Sequence, residues 1–191
     1  MTMIPRYPIL VGSFFICLGI FYTYQQVREC DDITYTVMLP VSKQDVVTAK
    51  YLFVLLIELV AFVLCALLTI IRMKTLGNAA PYVTNQLMNA NAAYLGYLLA
   101  VFASFNGIFL AGFFKTAYKL GKPFILFCVV GTIIILMGEV LHHIPGLESL
   151  NDPANLSIPQ VVILLIGIVM FKLCTWFSYQ KAVKDFGRLD L

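Results

Sequence analysis

The chain has 191 residues, of which 61% are hydrophobic and 12% are charged. Charged residues make up about a quarter of ordinary soluble domains, so this composition, with a mean hydropathy of +0.90, excludes that class and indicates an integral membrane protein. The formal charge of +3 is small and spread over loops, which favours a fixed orientation in a bilayer over nucleic-acid binding.

Five apolar segments predict an all-α, polytopic membrane protein that forms a single transmembrane domain over residues 1–191. The segments are residues 7–24, 50–71, 92–114, 123–141 and 159–179. The first lacks the charged n-region and cleavage pattern of a removable signal peptide, so it is expected to stay in the protein. Aromatic side chains near the segment ends predict a belt at the membrane interface; they are Tyr22, Tyr24, Tyr94, Tyr97, Trp176 and Tyr179.

Residues 25–50 are the longest mostly polar stretch between two strongly apolar segments. Within it, Ser42 is followed three residues later by Asp45, which is the spacing of a capping box, and this predicts that a helix begins at Ser42. No helix-breaking residue follows before the end of the second span, so the first turn is expected to run directly into a membrane helix. The alternative is that this spacing merely starts one more helix.

The basic residues that flank the spans predict the orientation. Residues 25–50 on the cytosolic side place nine basic residues inside, against Arg6, Arg72 and Lys74 outside. The nine are Arg28, Lys43, Lys50, Lys115, Lys119, Lys122, Lys181, Lys184 and Arg188. The C-terminus is then cytosolic and the N-terminus external.

The stretch DITYTVMLPVSKQDVVTAKYL, residues 32–52, resembles the signature of ABC-2 type transporter permeases. In that family a short acidic run, a Tyr and an L-P-[VI] motif with basic and acidic residues lead into a membrane helix. The resemblance is detailed over residues 4–61 and otherwise one of hydropathy. Members usually carry one more span ahead of the I-P-x-Y-P stretch, so this chain is either a five-span variant or begins late.

The resemblance implies an exporter subunit of the cell membrane, in bacteria the inner membrane, that works as a dimer of permease chains. It also implies that residues 29–50 dock on a separate ABC ATPase subunit. The residues assigned to this coupling by the resemblance and by the capping box are Glu29, Asp31, Asp32, Ser42, Lys43 and Asp45.

The sequence lacks the motifs of an enzyme that handles ATP itself. The pair Gly121-Lys122 is followed by Pro and has no upstream Gly of a phosphate-binding loop. ATP hydrolysis is therefore expected in a partner chain, and no cofactor is predicted. His142 and His143 beside Glu139 lack the i, i+4 spacing of a helical zinc site, so a polar cluster at the interface is favoured over a metal site.

Three polar residues inside the spans share one predicted depth. Glu58, Asn106 and Lys172 each lie eight or nine residues from a basic residue at the cytosolic boundary, about 12–14 Å into the bilayer. Buried charges in membranes normally pair or face a wet cavity. We therefore expect an ion pair between Glu58 and Lys172, within one chain or across the dimer, with Asn106 as an additional hydrogen-bond partner. The alternative is a snorkelling Lys172 and a protonated Glu58.

Two other classes of protein remain open at this stage. An ion-coupled secondary transporter could use Glu58 and Lys172 as a relay without an ATPase, although such proteins normally show internal repeats. An intramembrane enzyme is less favoured because no nucleophile–base pair lies at one depth. The transported substrate does not follow from the sequence.

Overall fold

The computed structural model describes residues 3–4, 6–116 and 119–189. The protein is 77% helical, and the described residues contain no strand. Its helices in chain order are α1 Val11–Glu29, α2 Asp32–Met38, α3 Lys43–Leu76, α4 Ala80–Val83, α5 Ala92–Phe105, a π-helical turn Asn106–Leu110, α6 Ala111–Phe114, α7 Gly121–Leu141, a 3-10 turn Glu148–Asn151 and α8 Ile158–Gly187.

Four helices in the described part of the chain are long and apolar enough to cross a membrane: Lys43–Leu76, Ala92–Phe114, Gly121–Leu141 and Ile158–Gly187. They confirm the prediction of a polytopic helical membrane protein and coincide with the last four predicted spans. Two of these helices extend beyond the predicted spans: α3 begins at Lys43, as the capping box predicts, and α8 continues to Gly187. The fourth predicted span begins at Gly121, two residues before Pro123.

The first predicted span, residues 7–24, differs most from the structure. The chain turns before α1, which begins at Val11 and continues past the predicted end to Glu29. Its last turns carry Gln25, Gln26, Arg28 and Glu29, and these side chains lower the mean hydropathy of the helix. The helix is not among the four that satisfy length and apolarity, so membrane crossing by α1, and with it the count of five spans, stays a prediction.

The helix Ala92–Phe114, formed by α5, the π-helical turn and α6, is the centre of the bundle, and we call it the central helix. In its apolar window 72% of the residues are buried, against 17% in each of the other three spans. It crosses α8 in close backbone contact, because a Cβ atom added to Gly167 would lie 2.4 Å from the carbonyl oxygen of Gly96. Small residues allow such crossings in membrane helices.

Aromatic rings fill the space between α1, the central helix and α7. The Tyr24 ring lies edge-on to Phe113, with centroids 4.7 Å apart, and Phe21 stacks on Phe124 at 3.8 Å. Tyr24 is 1% exposed and Tyr94 2%, so the prediction of an interfacial belt is wrong for these two. Their rings face the core of the bundle because they lie on helix faces that pack against neighbours.

At the end of the molecule remote from residues 25–50, which we call the far end, side-chain amides hold the loops together. Arg72 Nη2 donates to Asn89 Oδ1 at 2.5 Å, and Asn89 Nδ2 donates to the carbonyl of Asn151 at 3.1 Å. Glu139 Oε2 accepts from the amide of Met88 at 2.9 Å. The predicted polar cluster around Glu139 thus fastens the loop between α4 and α5.

A second feature of the far end is the turn that precedes α8. Burial raises the pKa of Asp152, but hydrogen bonds from the amides of Asn155 and Ala154, both at 2.9 Å, hold it below its ordinary value. The ionised carboxylate therefore stabilises the turn at neutral pH, and this contribution is lost as the pH falls through the lowered pKa.

Candidate functional site

Residues 25–50, which we call the coupling segment, comprise the end of α1, the short helix α2 and the start of α3. At the first turn Asp31 has φ 49°, a left-handed conformation that Asp tolerates better than most residues. At the second turn Leu39 is extended, with φ −73° and ψ 157°, as expected for a residue that precedes a proline. The segment is thus a compact helix–turn–helix end and not an unstructured loop.

The predicted capping box at the start of α3 is present. Ser42 Oγ accepts from the Asp45 amide at 3.1 Å, and Asp45 Oδ2 accepts from the Ser42 amide at 3.3 Å. This confirms that the helix begins after Ser42. The 34 residues of α3 then continue without interruption to Leu76, a length of about 51 Å at 1.5 Å per residue. The cap and the membrane-spanning part therefore belong to one rigid element.

Two more of the residues assigned to ATPase coupling, Asp32 and Lys43, are also bonded inside this protein. Lys50 Nζ forms an ion pair with Asp32. Lys43 Nζ donates to the backbone carbonyl of Leu189 at 2.5 Å, just beyond the end of α8. Because local sequence patterns do not show which helices meet, these contacts were not predicted. Glu29 and Asp31 are exposed, which leaves them free to meet a partner.

The coupling segment also carries an exposed apolar surface, which we call the docking patch. It consists of Tyr35, Met38, Leu39 and Val41, whose exposed fractions are 70%, 77%, 58% and 46%. The sequence reasoning missed these residues as a site, although they lie within the family signature. Their signal was a group of apolar side chains within a mostly polar stretch. Exposed apolar side chains grouped outside the spans are typical of a contact with another protein or with the membrane surface.

A series of side-chain hydrogen bonds joins α3 to the antiparallel α8, starting at the coupling segment. We call it the polar ladder. Thr48 Oγ1 lies 2.9 Å from Tyr179 Oη, and Tyr51 Oη lies 2.7 Å from Ser178 Oγ. Ser178 Oγ donates to the Asn106 carbonyl at 2.5 Å. That carbonyl lies in the π-helical turn. The regular backbone hydrogen bonds of a helix are disturbed in such a turn, so a side-chain donor can replace a backbone donor.

The deepest part of the ladder contains two of the three predicted polar residues. Asn106 Nδ2 donates to Glu58 Oε2 at 2.9 Å and to Thr175 Oγ1 at 3.1 Å. Glu58 and Asn106, which share one predicted depth, are therefore in direct contact. Within the described chain Glu58 forms no ion pair with Lys172, so the intrachain version of that prediction is wrong. Lys172 lies on the exposed face of α8, and pairing across a dimer stays a prediction.

Beside the ladder, α3 and α8 enclose an apolar groove with two adjoining cavities of about 600 and 480 Å³. The side chains shared by both cavities are Leu52, Leu55, Phe171 and Lys172. Glu58 lines the smaller cavity. Glu58 and Lys172 thus border the same space without meeting. Such a groove suits an apolar molecule or chain better than a soluble polar one.

Four membrane-spanning helices in the described part of the chain, with a structured polar segment at one end, define a polytopic helical membrane protein. The chain belongs to the ABC-2 transporter family: the family described as "ABC-2 family transporter protein" matches residues 1–186. Comparison with curated proteins and with solved structures finds no match.

Family membership places this chain among the membrane-spanning subunits of ABC transporters. It is a transport subunit and not itself a catalytic enzyme. Membership therefore favours this class over a secondary transporter that runs on an ion gradient and over an intramembrane enzyme.

Proposed function

We propose that the protein is the permease subunit of an ATP-driven exporter that binds its ATPase through residues 29–50. The observation that carries this proposal is the docking patch, an exposed apolar surface next to the exposed carboxylates of Glu29 and Asp31. The combination suits a protein partner with an apolar pocket and a basic rim. The substrate is not identified by these features.

In this proposal α3 transmits the motion of the ATPase from the coupling segment to the middle of the bundle. Glu58 is 16 residues beyond Ser42 on the unbroken α3, or about 24 Å along the axis. A displacement of the capped end therefore reaches the middle of the bundle without a hinge in between. The polar ladder fastens α8 to α3, so both helices move together, and the groove that they enclose shifts relative to a facing permease chain. We place the complex in the bacterial inner membrane.

The proposed partner gives the first prediction. The ATPase is expected to be encoded beside this protein as a chain with a phosphate-binding loop. When both are co-expressed, charge reversal by Glu29→Lys should reduce ATPase capture several-fold, because a rim charge of the docking surface is inverted. Co-purification in detergent followed by quantitative blotting measures the effect.

A matched control uses the far end. Glu148 is an exposed carboxylate remote from the coupling segment, and Glu148→Lys makes the same kind of charge change there. Capture at the wild-type level is expected for this variant. Equal loss in both variants would mean that net charge, and not the docking surface, governs the association.

The second prediction concerns orientation, which the basic residues assign to a cytosolic coupling segment. Cys30 is exposed within that segment, and Val83 is 60% exposed at the far end. An impermeant maleimide should label Val83→Cys, in a Cys30→Ser background, on intact cells. It should label the native Cys30 only after permeabilisation. The opposite labelling pattern would reverse the topology and remove the ATPase from this end of the molecule.

A further inference from the structure

The deepest part of the polar ladder contains two buried oxygen atoms without a donor. Glu58 is 1% exposed and Asn106 is fully buried. Both N–H groups of the Asn106 amide are used, one for Glu58 Oε2 and one for Thr175 Oγ1. Glu58 Oε1 and Asn106 Oδ1 have no hydrogen-bond partner among the described residues. Buried acceptors are rarely left in this state, because each one loses its hydration without compensation.

Exchanging the amide oxygen and nitrogen of Asn106 does not remove the problem. In that orientation the amide oxygen would lie 2.9 Å from Glu58 Oε2, and two acceptors would face each other with no hydrogen between them. An ionised Glu58 would in addition be a buried charge without a cationic partner in contact, which is strongly unfavourable inside a membrane protein. In either orientation of the Asn106 amide, the buried oxygens of Glu58 and Asn106 therefore need one more hydrogen between them.

We propose that Glu58 and Asn106 form a proton-binding site, in which Glu58 is a neutral carboxylic acid that donates from Oε1 to Asn106 Oδ1. The Asn106 amide donates in return to Oε2, so the two planar groups close a ring of two hydrogen bonds. One proton then satisfies both unpartnered oxygens. The ligand of this site is the proton itself, and the paired groups connect α3 to the central helix and, through Thr175, to α8.

The groups around the site are those that would respond to loss of the proton. Lys172 of α8 lines the same cavity as Glu58. Cys17 and Tyr24 of α1 are close enough to interact with Glu58 electrostatically. Tyr51, on α3 itself, is bonded to Ser178. Deprotonation would break the bond to Asn106 Oδ1 and leave a carboxylate in a cavity where Lys172 is the cationic lining residue, so the connection between α3 and the central helix would weaken.

The test compares Glu58→Gln with Glu58→Ala in the purified full-length chain in detergent. Glutamine reproduces the protonated acid, because its amide can donate to Asn106 Oδ1 and its oxygen can accept from Asn106 Nδ2. At pH 7 we expect Glu58→Gln to be at least as stable as the wild type, because unfolding releases the proton of Glu58 and none from Gln, and we expect Glu58→Ala to lower the wild-type Tm by several degrees. A Glu58→Gln variant as unstable as Glu58→Ala would show that the wild-type side chain is ionised, and would overturn the proposal.

An infrared difference spectrum, wild type minus Glu58→Gln, decides the protonation state directly. The C=O stretch of a protonated carboxyl group is expected at pH 7, and carboxylate bands in its place would contradict the proposal. As the pH rises above the ordinary carboxyl range, the wild-type Tm should fall relative to Glu58→Gln, because unfolding then releases the proton that the folded state holds. The fall should end where the carboxyl band gives way to carboxylate bands.

Lys172→Met distinguishes the proton site from a hidden ion pair. The double-mutant cycle of Glu58→Gln and Lys172→Met should show effects on Tm that add independently. A large coupling between the two would mean that Glu58 is an anion stabilised by Lys172. These measurements need no ATPase, so their outcome is separate from that of the proposed docking.

Discussion

Gly167→Ala is expected to destabilise the bundle severely and to lower the yield of folded protein several-fold. The added Cβ would lie 2.4 Å from the carbonyl oxygen and 2.9 Å from Cα of Gly96. Both are backbone atoms, so no rotamer change can relieve the overlap and the central helix must move away from α8. Overpacking of this kind costs about 1–3 kcal/mol. Thermal unfolding in detergent, with the monodisperse fraction from size-exclusion chromatography, measures the loss.

Gly187→Ala is the matched control on the same helix. A Cβ at Gly187 meets no atom within 4 Å, and alanine favours a helix over glycine by about 1 kcal/mol, so this variant should be as stable as the wild type or slightly more so. Wild-type stability of Gly167→Ala would show that α5 and α8 are not in backbone contact. It would also displace the hydrogen bonds that Asn106, just beyond α5, makes with Thr175 and Ser178 of α8.

The sequence predicts the helices of this fold better than their arrangement. Hydropathy locates the spans because each is an uninterrupted apolar run, but it assigns α3, α7, α8 and the central helix to one class. Only the structure shows that the central helix is the buried one. Gly96 and Gly167 are compatible with a close helix crossing, but small residues also occur on lipid-facing surfaces. A glycine in the sequence does not show which helix it contacts.

The candidate site divides in the same way. The capping box at Ser42 was predictable because it is local, with both partners within one turn of α3. The proximity of Glu58 and Asn106 followed from depth alone. Depth does not fix rotation about a helix axis, and this is why Lys172 lines the same groove as Glu58 but forms no ion pair with it. The inward contacts of Lys43 and Asp32 depend on helix packing that no local pattern specifies.

Docking and transmission should be separable by two sets of substitutions in the coupling segment. Met38→Asp with Leu39→Asp should abolish most ATPase binding while the permease stays folded, because both side chains are largely exposed, at 77% and 58%. Burial of one large apolar side chain in an interface is worth about 1.5–3 kcal/mol. At 1.4 kcal/mol per tenfold, loss of the pair should raise the Kd at least about tenfold, measured by titration of immobilised permease with the ATPase.

Ser42→Ala with Asp45→Ala changes the same segment without removing the docking patch. Loss of the cap costs about 1 kcal/mol and loosens the first turn of α3, so force applied at the segment is absorbed there and does not reach Glu58. The ATPase should therefore bind with near-normal affinity, while the stimulation of ATP turnover in the reconstituted complex falls. If this variant lost ATPase binding as fully as the double variant Met38→Asp with Leu39→Asp, the first turn of α3 would be part of the docking surface. If it kept full turnover, α3 would not transmit the motion of the ATPase, and that motion would have to enter the bundle through Lys43 and the end of α8.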